Sequence, residues 1–193
     1  MDFYRTGIYD LQESIVASGY PMLSEYVNNL DTTAKESDIA RAMRLASKSP
    51  VSGHANFLKG ILVSTDIVAS VKWWIQADRY SHFHIVSSMS TMHRALSMPI
   101  DTVCKNMPKD LLDILKREKE RCKNDEITLE EFVRLLPAGL EYGARVTTNY
   151  MQLRIMYAQR KNHRLTEWRT FCAWCETLPY AIQFILCKEK DED

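Results

Sequence analysis

Segments with helical spacing and segments rich in β-branched residues follow one another along this chain without strict strand–helix–strand alternation. That ordering limits the fold more than any other feature, and it points to the α+β class. Apolar positions at Ile8, Leu11, Ile15, Val16, Tyr20, Leu23, Tyr26, Val27 and Leu30 predict helix over residues 8–30, with Gly19 and Pro21 breaking it in two. Helix is expected again from Asp38 to Ala46, followed by a loop over 47–53. The β-branched run Ile61, Val63, Thr65, Ile67 and Val68 predicts a strand between Gly60 and Ser70. Val71 to Tyr80 reads as a helix with Trp73, Trp74 and Ala77 on its apolar side, and His82 to Ser88 as a short strand. Two amphipathic helices are expected at Asp110–Lys123 and Thr128–Leu136, the second opened by the capping box Thr128-Leu129-Glu130-Glu131. A strand over 141–148 precedes a mostly helical stretch from Asn149 to Cys187, and the charged tail 188–193 is expected to fray.

With 193 residues the chain is the size of one domain. Its 25 basic and 25 acidic side chains cancel, which disfavours a general nucleic-acid or membrane-surface binder and leaves little repulsion against a homo-oligomer. A few arginines can still build a local pocket for a small anion. No apolar run reaches the roughly 18 residues that a bilayer needs, and the N-terminus lacks a signal-peptide pattern. The five irregularly spaced cysteines (Cys104, Cys122, Cys172, Cys175, Cys187) suit reduced thiols, so a cytoplasmic protein is expected. Neither a G-x-G-x-x-G nor a Walker motif occurs, so any nucleotide must be held by side chains.

The C-terminal third reads Leu135-Leu136-Pro137, then Asn149-Tyr150-Met151-Gln152-Leu153-Arg154, then Gln159-Arg160, then Thr166-Glu167-Trp168-Arg169. Upstream stand Gly53-His54-Ala55-Asn56-Phe57, Gln76-Ala77-Asp78-Arg79 and Ser87 through Arg94. In these motifs the chain resembles the flavin-dependent thymidylate synthases over residues 50–170. That family has an LP turn, a strand, an Asn opening a helix, an LR step and an A-Q-W-E-like segment. It also has an H-x-S-x-F-E-H stretch and a helix ending in Q-x-x-R-H-R. Arg79-Tyr80-Ser81 stands where the family carries R-H-R, and Met89-Ser90-Thr91-Met92 where it carries N-E-x-S. Residues 1–45 are expected to form a helical N-terminal extension of a single domain spanning 1–193.

The resemblance implies an α+β fold with a central mixed or antiparallel sheet flanked by helices. It implies a tetramer with shared sites, FAD as cofactor, and NADPH and methylenetetrahydrofolate as co-substrates for methylation of dUMP. It assigns substrate binding to Gln76, Arg79, Ser90, Arg94 and Arg160, and cofactor binding to His54, Arg79, Asn149, Arg154 and His163. The chemistry suits these residue types: guanidinium forks grip a dianionic phosphate through paired charge-assisted bonds. Gln76 lies one helical turn before Arg79, and an amide can read a pyrimidine edge. Asn149 at a helix start is a cap as well as a ligand candidate. Rival readings are a related pyrimidine-nucleotide modification such as hydroxymethylation, or a non-catalytic nucleotide-binding protein on the same scaffold. Cys172-Ala173-Trp174-Cys175 reads as ordinary buried thiols, and His82, His84 and His93 lack the third fixed ligand of a metal site.

Overall fold

The computed structural model describes residues 1–25, 31–49 and 52–186. Tyr26, Val27, Leu30, Pro50, Val51, Cys187 and the charged tail, on which several of the sequence expectations fall, lie outside these residues. Strands β1 (Asp2–Tyr9), β2 (Leu62–Ser70), β3 (His84–Ser88) and β4 (Glu141–Asn149) form one sheet in the order β1-β2-β4-β3. All pairings are antiparallel, and β2 runs in unbroken register along β4 from Leu62↔Asn149 to Ser70↔Glu141. Helices α1 (Leu11–Ala17), α2 (Glu36–Ala46), α3 (Val71–Ala77), α8 (Tyr150–Arg160) and α9 (Thr166–Glu176) belong to this layer. Between β3 and β4 the chain forms a lobe of α4 (Thr91–Arg94), α5 (Ile100–Val103), α6 (Lys109–Lys123) and α7 (Leu129–Arg134). The fold class is therefore α+β, with an antiparallel sheet flanked by helices.

Alternation decides which face of the sheet is covered. Val63, Thr65, Ile67 and Ala69 of β2 are buried, as are Ala144, Val146 and Thr148 of β4. They join a core with Trp73, Trp74, Phe83, Tyr150, Leu153, Met156, Trp168, Phe171 and Phe184. Trp73 and Trp74 are thus core residues, at 0% and 2% exposure. The inserted lobe has its own apolar centre, made of Ala95, Met98, Ile100, Cys104, Leu115, Cys122, Phe132 and Leu140. It meets the sheet layer through backbone: the carbonyls of Leu140 and Ala138 accept from the amides of Val71 and Lys72, at 2.9 and 2.8 Å. Those are first-turn amides of α3, which have no partner inside their own helix. The capping box of α7 forms as the sequence predicts, with Thr128 Oγ1 accepting from the Glu131 amide at 3.2 Å and the Glu131 carboxylate accepting from the Thr128 amide at 2.7 Å.

The N-terminal segment corrects the helical expectation. Residues 2–9 are an outer strand of the sheet, and helix begins only at Leu11. The strand escapes a period-two reading because its register shifts between Tyr4 and Gly7, where Arg5 takes a left-handed φ of 50°. Arg145 of β4 braces this bulge by donating from Nη1 to the Arg5 carbonyl at 2.9 Å and to Asp66 Oδ1 at 3.1 Å, while Arg5 pairs with the other oxygen of Asp66. Burial works against the charge of Asp66, but the hydrogen bonds from Arg145 and Arg5 outweigh it and hold the carboxyl below its ordinary range. Further along, His84 lies in β3 while His82 precedes it, so the two are not a His-x-His pair within one strand.

Candidate functional site

Ser70 ends β2 and caps α3, its Oγ accepting from the Trp73 amide at 3.2 Å. Glu167 of α9 fastens the same corner, its carboxylate accepting from the Ser70 amide at 2.7 Å and from Ser70 Oγ at 2.5 Å. Helix α3 stops at Ala77, and the turn after it is pinned by Phe83, which is 3% exposed and packs edge-on against Trp73 and Phe171. Arg79, Tyr80 and Ser81 are therefore held at a fixed height beside α8. That helix is positioned in turn by Asn149, whose side-chain oxygen accepts from the Gln152 amide at 2.9 Å. Gln152, Ile155 and Gln159 follow at i, i+3 and i+7 on one face of α8, and Arg160 ends it.

Between the turn and this helix face lies an open pocket of about 530 Å³, lined by Arg79, Tyr80, Ser81, Gln152, Ile155, Gln159 and Arg160. Its volume is that of a small-molecule site. No carboxylate lines it, and Arg79 makes no hydrogen bond or ion pair to any described residue. Arg160 is held rigidly: its guanidinium carbon lies 4.6 Å from the centre of the Trp168 ring and 5.6 Å from that of Tyr80. Its Nε donates to the Tyr80 hydroxyl at 2.8 Å, and that hydroxyl donates to Gln159 Oε1 at 2.9 Å. Two guanidiniums without a countercharge among the described residues, one of them mounted on aromatic faces, have the chemistry that suits a small anion.

The structure brings only Arg79 and Arg160 of the sequence-predicted residues into this lining. Gln76 belongs to the support beneath it: its Oε1 accepts from Trp168 Nε1 at 2.8 Å. Asn149 acts as the cap of α8. Arg154 is 7% exposed and turns away, donating from Nη1 to the Ala46 carbonyl at 2.8 Å and from Nη2 to the Lys48 carbonyl at 3.3 Å. Ser90 caps α4, accepting from the His93 amide at 3.1 Å, and Arg94 donates from Nε to Ser97 Oγ at 3.0 Å. His54 sits exposed in a turn before β2. The site residues that sequence reasoning passed over are Tyr80, Ser81, Gln152, Ile155 and Gln159. The i, i+3, i+7 spacing along α8 was the available signal, but it becomes legible only once Arg79 is known to face it. Among the described residues, no three His, Cys, Asp or Glu side chains are gathered as metal ligands. Cys104, Cys122, Cys172 and Cys175 are free and buried. Burial raises the Cys172 thiol to about 11 and Cys175 well above its ordinary value, so neither is a ready nucleophile.

His163 lies just outside the pocket, its ring 6.3 Å from that of Trp168 and its Nδ1 accepting from the Leu165 amide at 3.1 Å. Burial, with help from Arg160 and Arg169, lowers its pKa below the ordinary 6.5. The neutral ring is thus favoured by folding, and the stability it contributes is complete above pH 6.5 and lost as pH falls below that value. Between about pH 7.5 and 5.5 the melting temperature should fall more for the unaltered protein than for His163→Gln, as thermal denaturation followed by circular dichroism would show. Equal slopes would place the ring outside the cooperative unit.

No family model and no curated protein matches this sequence. Among solved structures, the chain is similar to the flavin-dependent thymidylate synthase of Helicobacter pylori complexed with FAD and dUMP. The TM-score is 0.76 at 13% identity, covering 98% of this chain and 100% of the other. A second structure, of thymidylate synthase X from Helicobacter pylori with FAD and dUMP, gives 0.74 at 15% identity with the same coverage. The shared architecture runs the length of the two chains.

Proposed function

We propose that this protein, which has the fold of the flavin-dependent thymidylate synthases, is a divergent member of that family. It binds a pyrimidine nucleotide of the dUMP type and transfers a one-carbon unit to it. The observation that carries this reading is the convergence of Arg79 and Arg160 on one pocket that no carboxylate lines. Arg79 approaches from the turn after α3 and Arg160 from the end of α8, so an anion between them meets two forks brought in by separate elements. Trp168 and Tyr80 exclude water from one side of the Arg160 guanidinium, which strengthens its bonds to an anion. Gln76 holds the Trp168 indole in place, and Asn149 fixes the start of the helix that carries Gln152 and Gln159.

FAD fits such a lining through its phosphate oxygens, for which Arg79 and Arg160 are donors, and when bound it would supply the hydride chemistry. As co-substrates, NADPH would supply the reducing equivalents and methylenetetrahydrofolate the one-carbon unit. A cytoplasmic homotetramer of single-domain chains completes the proposal. One observation favours a second reading: Tyr80 stands where the family has histidine, and its hydroxyl is already bonded to Gln159 and Arg160. Modification of another pyrimidine nucleotide, or nucleotide binding without turnover, would fit that change.

An absorbance scan of the purified protein, repeated after soaking with excess FAD and gel filtration, tests the proposal. Flavin bands are expected. Arg160→Ala or Arg79→Ala should weaken FAD retention and dUMP affinity by about ten- to a hundredfold, the equivalent of the roughly 1.5–3 kcal/mol of a charge-assisted bond. With flavin present, a dUMP methylation assay follows. A protein that stays colourless and retains no FAD overturns the thymidylate synthase reading.

A further inference from the structure

Helix α9 reaches α3 at two points with two adjacent side chains. Glu167 accepts from the amide and the hydroxyl of Ser70, the cap of α3, at 2.7 and 2.5 Å. Trp168 donates from Nε1 to Gln76 Oε1, in the last turn of α3, at 2.8 Å. Six residues separate Ser70 from Gln76, a helical rise of about 9 Å. Two contacts that far apart fix the tilt of α3 as well as its height, which one contact cannot do. The carboxylate also orients the cap. With its proton committed to Glu167, the Ser70 hydroxyl turns a lone pair to the Trp73 amide at 3.2 Å. Glu167 stands in the first turn of α9, where free helix amides favour a negative charge, and a charged acceptor makes the stronger bond.

Both arginines of the pocket depend on this contact. Arg79 follows Gln76 by three residues, in the turn after α3. The Arg160 guanidinium rests on the face of the Trp168 ring, 4.6 Å from its centre. One indole therefore bears on α3 through its N–H edge and on Arg160 through its face. A tilt of α3 against α9 would move Arg79 relative to Arg160. The Glu167 carboxylate is absent from the lining. We infer that the first turn of α9 is a strap that sets the gap between the Arg79 and Arg160 guanidiniums, with Glu167 as its positioning residue. Glu167 acts through Ser70 and α3. The gap belongs to the fold, and the nucleotide reading above enters only as the source of the probe.

Calorimetric titration with dUMP and FAD, below the unfolding transition, is the first test. Glu167→Ala should weaken whichever of the two the unaltered protein binds by about tenfold. In an Arg79→Ala background the same change should have no further effect, because there is no longer a gap to set. A merely structural role would lower the melting temperature in both backgrounds and leave this coupling at zero. Glu167→Gln keeps an acceptor for the Ser70 amide but sets its NH2 against the hydroxyl, so its affinity should fall between the two. Ser70→Ala removes the hydroxyl and keeps the amide bond; it should repeat the effect in smaller size, and it replaces Glu167→Ala if that variant does not fold. A second readout needs no ligand. The Trp168 indole proton, assigned in the NMR spectrum by its absence in Trp168→Phe, should exchange at least about tenfold faster in Glu167→Ala. The reference is the amides of the β2–β4 ladder, which report global opening. Equal loss of affinity in both backgrounds, no loss at all, or an indole rate that moves only with the ladder overturns the inference. Binding of dUMP or FAD by the unaltered protein decides the nucleotide reading separately. Faster indole exchange in a protein that binds neither sustains the strap and removes that reading.

Discussion

Replacing Trp168 by alanine is expected to lower folding stability by about 3–5 kcal/mol, the cost of truncating a large aromatic side chain in a packed core. The side chain is fully buried and its ring centre lies 5.0 Å from that of Trp73, 5.5 Å from Phe171 and 6.0 Å from Tyr80. Truncation opens a cavity among rings that are themselves fixed in position, so relaxation can fill little of it. It also removes the donor to Gln76 Oε1 and the surface beneath the Arg160 guanidinium. Urea unfolding should show a lower midpoint with an unchanged slope. Trp168→Phe should recover most of the loss while leaving Gln76 without its indole partner. A Trp168→Ala loss below about 1 kcal/mol would mean that the ring is peripheral to the core.

Arg154→Met is the second large effect, and it separates architecture from ligand binding. Hydrogen bonds to a charged group contribute about 1.5–3 kcal/mol each, so losing those to the Ala46 and Lys48 carbonyls should cost about 3 kcal/mol. The Ala46 carbonyl ends α2 and that of Lys48 lies two residues beyond it, where the helix dipole favours a cation. A guanidinium reaching across from α8 thus caps α2. Methionine replaces the apolar volume of the arginine stem but neither donor nor charge. Differential scanning calorimetry should register the stability loss, while the affinity for dUMP or FAD, measured below the transition, should change by less than about twofold. Loss of cofactor with stability intact would instead return Arg154 to the site.

The two arginines that face the pocket and the two amides beside them differ in how readily the sequence reveals them. Arg79 and Arg160 stand in spaced motifs that can be recognised without coordinates. Gln152 and Gln159 owe their role to the height at which the turn 79–81 meets α8, which is set by Phe83 and by the Ser70–Glu167 corner. That meeting is a tertiary fact with no local signal. Arg154 and Asn149 also stand in the motif, and each side chain is engaged at the end of a helix, α2 for Arg154 and α8 for Asn149. Ser90 and Arg94 are engaged within the one-turn helix α4 and the residues after it. In the fold, β2, β4 and the helices α2, α3, α6 and α7 follow from their periodicity. Strand β1 does not, because the bulge at Arg5 spoils the alternation of Phe3, Thr6 and Ile8.

That bulge has a counterpart. The other outer strand, β3, also shifts register, between Ile85 and Ser87, so both margins of the sheet are interrupted at mid-length. A flat margin of unpaired amides and carbonyls is a template for another chain, and interruption with a charged residue at the break is a known guard against it. At β1 the guard is Arg5, locked into its left-handed turn by Arg145 and Asp66. The break there disfavours the addition of a further strand along that margin of the sheet.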